Sequence, residues 1–392
     1  MMNVDVRDSL SVGSTRPELL TVRVIEDAAA WDAIRCDWDA LHAVSPTAST
    51  TLEFTWLRQW WRIYGPVYGA GGLCVITLWR GADLAGALPL YRSRTPGSVA
   101  AARCLRFIST GEAEFEETCA DYLDLLHLPG DEEVCARAAW DAIDAMDWDT
   151  LILLDMPERA SLLRWRDARS ARRRSALVSR GSCPIARIGS GFEAYLEQLS
   201  SKTRMRARQE LRKVERAGAV FELATEADLD TYFDDLIRIH QERWTADGQP
   251  GCFAAPRFTA FHRSLVREWV GSGRAILGRL SYRGQACVLL YGFVTGDKFD
   301  LYQLGTKSVE GGVIHSPGMV ANLLLMARLS TMGVARYDFL RGVTTFKRSL
   351  TNEQCNLVSL ECRRRTPRAQ LELIEFQLRR FARKILKLLF RR

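Results

Sequence analysis

Residues 299–342 read FDLYQLGTKSVEGGVIHSPGMVANLLLMARLSTMGVARYDFLRG, and their order decides the fold. The segment Phe299–Leu304 alternates as a strand. A loop follows from Gly305 to His315 and carries Gly311 and Gly312. Ser316, Pro317 and Gly318 open a helix: serine suits the N-cap, proline the first turn, and glycine lets a ligand approach the backbone. The helix runs from Met319 to Leu329 and is apolar around most of its circumference, so it is buried against a sheet. Gly333 stops it, and residues 335–342 return as a strand. A helix start exposes unpaired N–H groups at the positive end of the helix dipole, which suits a phosphate or a carboxylate. The other reading is an ordinary crossover helix with a good cap.

Outward from this unit, the chain repeats itself. Residues 73–91 and 275–295 are both hairpins, around Arg80–Asp83 and Tyr282–Gln285. Residues 122–154 then parallel residues 299–340 as strand, helix, strand. The expected fold class is α/β with mixed sheets (α+β in part) and helices on both faces, formed by duplication of one unit. The expected divisions are a disordered stretch at 1–18, a first domain at 19–160, an Arg- and Ser-rich linker at 161–184, a second domain at 185–365 and a terminal helix at 366–392.

Composition narrows the function. The 392 residues are 47% hydrophobic and 26% charged, with no apolar run of membrane-spanning length and a polar, acidic start. Ten cysteines without a CxxC pair argue for reduced thiols in a cytoplasmic protein and imply no metal site. The net charge of +7 equals the seven Arg and Lys of residues 379–392, which contain no acid. The body is therefore formally neutral, and DNA is not an expected partner. Leu371, Ile374, Leu378, Phe381, Ile385 and Leu388 form a stripe at helical spacing. With the basic residues, 371–392 reads as a helix for an anionic membrane surface or a membrane-bound synthase. A terminal helix packed on the body is the alternative.

Seven words recur in order: FTWLRQWW at 54–61, LPLY at 88–91, YLDL at 122–125, SSKTR at 200–204, HQERW at 240–244, SPG at 316–318 and DFLRG at 338–342. Over about residues 50–350 they resemble the GNAT acetyltransferase superfamily, and within it the cellulose-biosynthesis (CelD/BcsL) group; the tandem-domain Fem ligases are similar too. The resemblance implies tandem GNAT-like domains and an acyltransferase that uses acetyl-CoA or another acyl-CoA. It implies a polysaccharide or cell-envelope precursor as acceptor, and a cytoplasmic location, peripheral at the inner face of the membrane. Carried over, the cofactor would meet Gly311, Gly312, Ser316, Gly318 and Met319. The superfamily's usual Arg/Gln-x-x-Gly-x-Gly/Ala fingerprint is absent, and Val343 stands where relatives often carry an acid.

Acyl transfer needs a base for the acceptor, a donor for the oxyanion and an acid for the leaving thiolate. Asp338 or His240 is the candidate base and Tyr302 the candidate acid. Arg243, Trp244, Arg341 and Lys347 are candidates for the substrate. Each has a plain alternative as a core histidine or aromatic, an internal ion pair or a solvated cation. An aminoacyl-tRNA-dependent transferase and a non-catalytic scaffold for a membrane synthase remain open beside the leading reading.

Overall fold

A computed structural model describes residues 20–94, 101–166, 173–375 and 377–378. The first half runs β1 (Thr21–Ile25), α1 (Ala28–Ala33), α2 (Arg35–Val44), α3 (Phe54–Tyr68), β2 (Leu73–Arg80), β3 (Asp83–Arg94), β4 (Arg103–Phe107), β5 (Leu126–His127), α4 (Glu132–Ala145), β6 (Thr150–Pro157) and α5 (Ser161–Arg164). β7 (Arg173–Arg187) follows as the last strand after the first half, and the second half runs α6 (Phe192–Gln198), α7 (Ser201–Arg216), β8 (Val220–Leu223), α8 (Leu229–Ala246), α9 (Pro256–Trp269), β9 (Ala275–Tyr282), β10 (Gln285–Thr295), β11 (Lys298–Thr306), α10 (Pro317–Thr331), β12 (Arg336–Asp338), α11 (Thr345–Ser349) and β13 (Glu353–Arg364).

Among the described residues, thirteen strands join one mixed sheet, in the order β1-β2-β3-β4-β6-β13-β7-β12-β11-β10-β9-β8, with β5 beside β3. Helices flank this sheet, as the hydrophobic patterning requires. Each half holds one parallel pair bridged by a crossover helix. In the first, Cys104, Leu105 and Arg106 of β4 face Thr150, Leu151 and Ile152 of β6. In the second, Lys298, Phe299 and Asp300 of β11 face Arg336, Tyr337 and Asp338 of β12. Beyond Asp300 and Asp338 those two strands part.

The halves are tied by an exchange of strands. β7 follows β6 in the chain but pairs with β12, and β13 follows β12 but pairs with β6. β7 and β13 then pair with each other along their length, closing the seam. A second tie is aromatic. Trp56 of α3 meets Phe261 of α9 edge-on at 4.9 Å, and Phe293 and Tyr302 lie within 6 Å of it, in one core spanning both halves.

Two expectations are corrected. The stretch expected as a strand from Tyr122 has only Leu126 and His127 in the sheet. Tyr122 takes φ +69, which breaks an extended run, and Asp124 turns inward to accept the N–H groups of Ser161 and Leu162. The strand that parallels β11 is β4. Of the stretch expected as a linker, residues 161–164 are helical and residues 173–184 lie in β7. The arginines and serines there belong to a strand whose outer part is exposed on both faces. The N-terminal stretch expected to be disordered lies outside the described residues, as do residue 376 and residues 379–392 of the tail; residues 367–375 are helical.

Candidate functional site

The start of α10 is set by a loop with two left-handed glycines, Gly311 at φ +71 and Gly312 at φ +63. Ser316 occupies the N-cap, yet its hydroxyl does not cap the helix. It accepts instead from Arg206 Nη2 of α7 at 2.7 Å. Pro317 has no N–H, so the free donors of the first turn are those of Gly318 and Met319. No acid lies in that turn. Its position is fixed from behind by buried Asn322, which donates to the Gly318 carbonyl and accepts from Tyr337 of β12, both at 2.7 Å.

Two cavities meet at this helix start. One, of about 540 Å³, lies in the opening between β11 and the chain beyond β12, lined by Leu304, Thr306, Gly318, Met319 and Phe346 with Lys202 and Arg206 at its rim. The other, of about 700 Å³, lies on the α8 side and is lined by Arg243, Lys307, Gly312 and His315 among others. Thr306 borders both. A bulge in β11 directs the strand here. Tyr291 faces Gln303 and Gly292 faces Leu301, so Tyr302 is the extra residue and the face presented by Leu304 and Thr306 is reset.

The corresponding helix of the first half is unlike α10. Its first turn carries Glu132 and Glu133, and its N-cap Asp131 is paired with Arg80 at 2.9 Å. With Asp131 taken by Arg80, the carboxylates of Glu132 and Glu133 remain in the first turn and repel an added anion. Only the second half keeps this end of the crossover helix open to one.

The candidate catalytic groups are spread over three places. Asp338 is fully buried at the point where β11 and β12 part, and accepts from the Leu340 N–H at 2.7 Å and from the Tyr122 hydroxyl of the first half. Burial pushes its carboxyl up, against the pull of Lys298. Asp338, Tyr122 and Lys298 line a third cavity, of about 340 Å³, at the seam between the halves. Tyr302 donates to the Thr118 carbonyl at 2.6 Å and meets His262 Nε2 at 3.0 Å, so its hydroxyl is held within the core. His240 is buried in α8 against Phe253 and Trp244, with Nδ1 at 3.2 Å from Gln241, and burial lowers its pKa. Trp244 is itself partly exposed beside it.

Of the substrate candidates, Arg243 lines the larger cavity. Arg341 does not reach the helix start. Its guanidinium joins Asp155 at 2.5 Å and lies 3.6 Å from both Asp121 and Glu117, making it the ionic centre of the seam. Removing one partner of such a network typically costs 3–5 kcal/mol. Lys347 donates to the Phe339 carbonyl at 2.8 Å, and burial lowers its pKa. Sequence reasoning gave no role to Lys307 or Tyr122; the basic stretch from Lys202 to Arg216 stands out in the sequence, but Arg204 and Arg208 are paired with Glu193 and Glu197, and Lys202 and Arg206 are the residues that reach the cavity. Arg206 carries no local signal, since only the α7–α10 packing turns it toward Ser316. Five non-glycine residues, Ser109, Cys119, Tyr122, Asp155 and Leu340, have positive φ. Among the described residues no group of three or more His, Cys, Asp or Glu could hold a metal, and no helix is long and apolar enough to cross a membrane.

Residues 201–348, which contain α7 to α11, match the family model of the acetyltransferase (GNAT) domain. This half resembles that family. No curated protein matches the chain. Among solved structures, FemX superposes with a TM-score of 0.61 at 11% identity, over 86% of this chain and 96% of that one. A conserved protein of unknown function from Bacteroides thetaiotaomicron gives 0.52 at 12% identity, over 88% and 100%. The C-terminal domain of a putative lysylphosphatidylglycerol synthetase from Agrobacterium fabrum gives 0.50 at 10%, over 88% and 95%. At these identities the likeness concerns the fold, a tandem arrangement on a mixed sheet.

Proposed function

We propose that the chain is an acyltransferase that takes its acyl group from acetyl-CoA or another acyl-CoA and passes it to an amine or hydroxyl. The observation that carries this reading is the difference between the two crossover helices. α10 offers free N–H groups, no acid in its first turn and the cations Lys202 and Arg206, whereas α4 carries Glu132 and Glu133 in its first turn and an N-cap Asp131 already paired with Arg80. An acyl-coenzyme A would fit this set, and when bound it would supply an activated thioester. The N–H groups of Gly318 and Met319, with Lys202 and Arg206, would hold its diphosphate, and Leu304, Thr306 and Phe346 would line its acyl arm. Gly311 and Gly312 shape the approach. From Thr306 back to Asp300 the strand covers about 20 Å, which brings the arm's end to the point where β11 and β12 part. There Asp338, made more basic by burial and held by Tyr122, takes the acceptor's proton.

The measurement is calorimetric titration of acetyl-CoA into the parent protein and the Lys202→Ala, Arg206→Ala double variant. Charge-assisted bonds of about 1.5–3 kcal/mol make the expected loss roughly 10- to 100-fold in affinity. Equal affinities for parent and variant count against the site; no heat at all with the parent sinks the reading.

The acceptor we assign to a polysaccharide or cell-envelope precursor, on the resemblance to the cellulose-biosynthesis group. The aminoacyl-tRNA alternative draws support from α7, where Lys202, Arg206, Arg212 and Arg216 have no carboxylate within 4 Å among the described residues. Titration with aminoacyl-tRNA in place of acetyl-CoA separates the two. Peripheral attachment is supported by Leu371, Ile374 and Leu378, 53%, 52% and 63% exposed on the terminal helix, followed in sequence by the basic stretch. Truncation after Arg368 should abolish pelleting with anionic liposomes while leaving acetyl-CoA affinity unchanged; unchanged pelleting removes the membrane from the account.

A further inference from the structure

The cavity of about 700 Å³ on the α8 side has no part in the acyl path described above. Its floor is apolar, formed by Ile239, Val309 and Ile314, and its polar lining is cationic. Its one acid, Glu242, is already joined to Arg238 at 3.2 Å. His315 Nδ1 lies 3.5 Å from Lys213 Nζ, and Lys213 is in turn paired with Glu210 at 2.7 Å. Arg243 and Lys307 have no carboxylate within 4 Å among the described residues. Two unneutralised cations therefore converge on a concave surface, one from α8 and one from the loop before α10. An isolated exposed cation needs no partner, but two aimed into one apolar-floored cavity make a site for an anion attached to a flat or apolar body.

The location decides which anion. This cavity and the acyl-arm cavity share Thr306 and lie on either side of the α10 start, with Pro317 in one and Gly318 in the other. A ligand whose diphosphate rests on that helix start has one end directed to Leu304 and Phe346. Its other end is directed to Arg243 and Lys307. We propose that Arg243 and Lys307 hold a ribose phosphate at the nucleotide end of the carrier, and that Ile239, Val309 and Ile314 receive its base. The protein would then select a free nucleotide thioester over the same acyl arm carried on a protein, which lacks a nucleotide. This rests on the carrier reading of the α10 start.

The test compares coenzyme A, 3′-dephospho-coenzyme A and phosphopantetheine by calorimetry, on the parent protein and on the Arg243→Ala, Lys307→Ala double variant. The parent is expected to bind coenzyme A at least tenfold more tightly than its 3′-dephospho form, with phosphopantetheine weaker still. The double variant is expected to lose that preference, binding both nucleotide forms as the parent binds 3′-dephospho-coenzyme A. An Arg212→Ala, Arg216→Ala variant on α7 controls for general positive charge and should keep the preference. The proposal is overturned if the parent shows no preference, if the double variant weakens both nucleotide forms alike, or if the α7 control loses the preference equally. Failure of all three ligands to bind the parent overturns the carrier reading itself, and this proposal with it; binding of all three with equal affinity leaves that reading standing and removes only the nucleotide pocket.

Discussion

Glu112 shows how much a single carboxyl can report about this protein. Its carboxyl is enclosed, with Oε1 accepting from the Trp60 indole and from Thr118 Oγ1 at 2.7 Å, while Oε2 has no partner. Burial pushes it up from 4.5 to about 7. A carboxyl raised in the folded state holds its proton where the unfolded chain has lost it. Stability is therefore fully kept below the unfolded value and declines as pH rises through the window from about 4.5 to about 7. At about 1.4 kcal/mol per unit, the decline amounts to roughly 3 kcal/mol. Glu112→Gln keeps the Oε1 acceptor and removes the titration. Denaturant unfolding should show the variant gaining on the parent by a few kcal/mol between pH 4 and pH 8. Asp121 and Asp338 are raised by burial too, so part of the slope will persist. A parent and variant with parallel pH profiles would show that Glu112 ionises freely.

Among the elements, α10 was the most legible in the sequence, because the Ser-Pro-Gly start, the apolar content and the stopping glycine all speak locally, although the Ser316 hydroxyl turns to Arg206 rather than capping the helix. Its span, the strand before it and both hairpins follow from side chains within a few residues of one another, whereas the strand expected over 335–342 covers only Arg336–Asp338, because Leu340 at φ +53 ends the extended run. What could not be read was set at a distance. β7 is a strand because β12 and β13 lie on its two sides, and nothing in its arginines and serines announces that. Arg341 looked like an anion clamp because strand ends gather ligands, but three acids from the first half occupy it. Asn322 is one polar residue in an apolar helix, and nothing near it in sequence announces its bonds to the Gly318 carbonyl and the Tyr337 hydroxyl. Asn322→Leu leaves the Tyr337 hydroxyl and the Gly318 carbonyl without these bonds, at a cost of about 1–3 kcal/mol each way of counting. The expected result is a lower denaturation midpoint together with a severalfold weaker acetyl-CoA affinity. A loss of stability with unaltered affinity would show that the first turn of α10 keeps its place unaided.

The molecule as a whole is governed by the exchange of β7 and β13. If each half kept its own last strand, the two could separate with their sheets intact. Instead β6 is completed by a strand from the C-terminal end of the chain, and β12 by a strand that follows β6. Removing β13 exposes one edge of β6 and one edge of β7 at once, and unpaired central edges are both unstable and prone to aggregate. It also leaves Arg341 facing Asp155 and Asp121 across a seam with a missing strand. A fragment ending at Asn352 is therefore expected to lose both halves together: insoluble on expression, or without a cooperative thermal transition if recovered. The parent, by the same reasoning, should unfold in one calorimetric transition, since no boundary exists at which half of the sheet can be released alone. A soluble fragment with a cooperative transition from residues 20–166 would show that the first half stands without the borrowed strand, and the exchange would then be a late docking step. The same seam bears on function, because Tyr122 reaches Asp338 across it. Under the proposed function, loss of β13 should therefore abolish acyl transfer together with the fold.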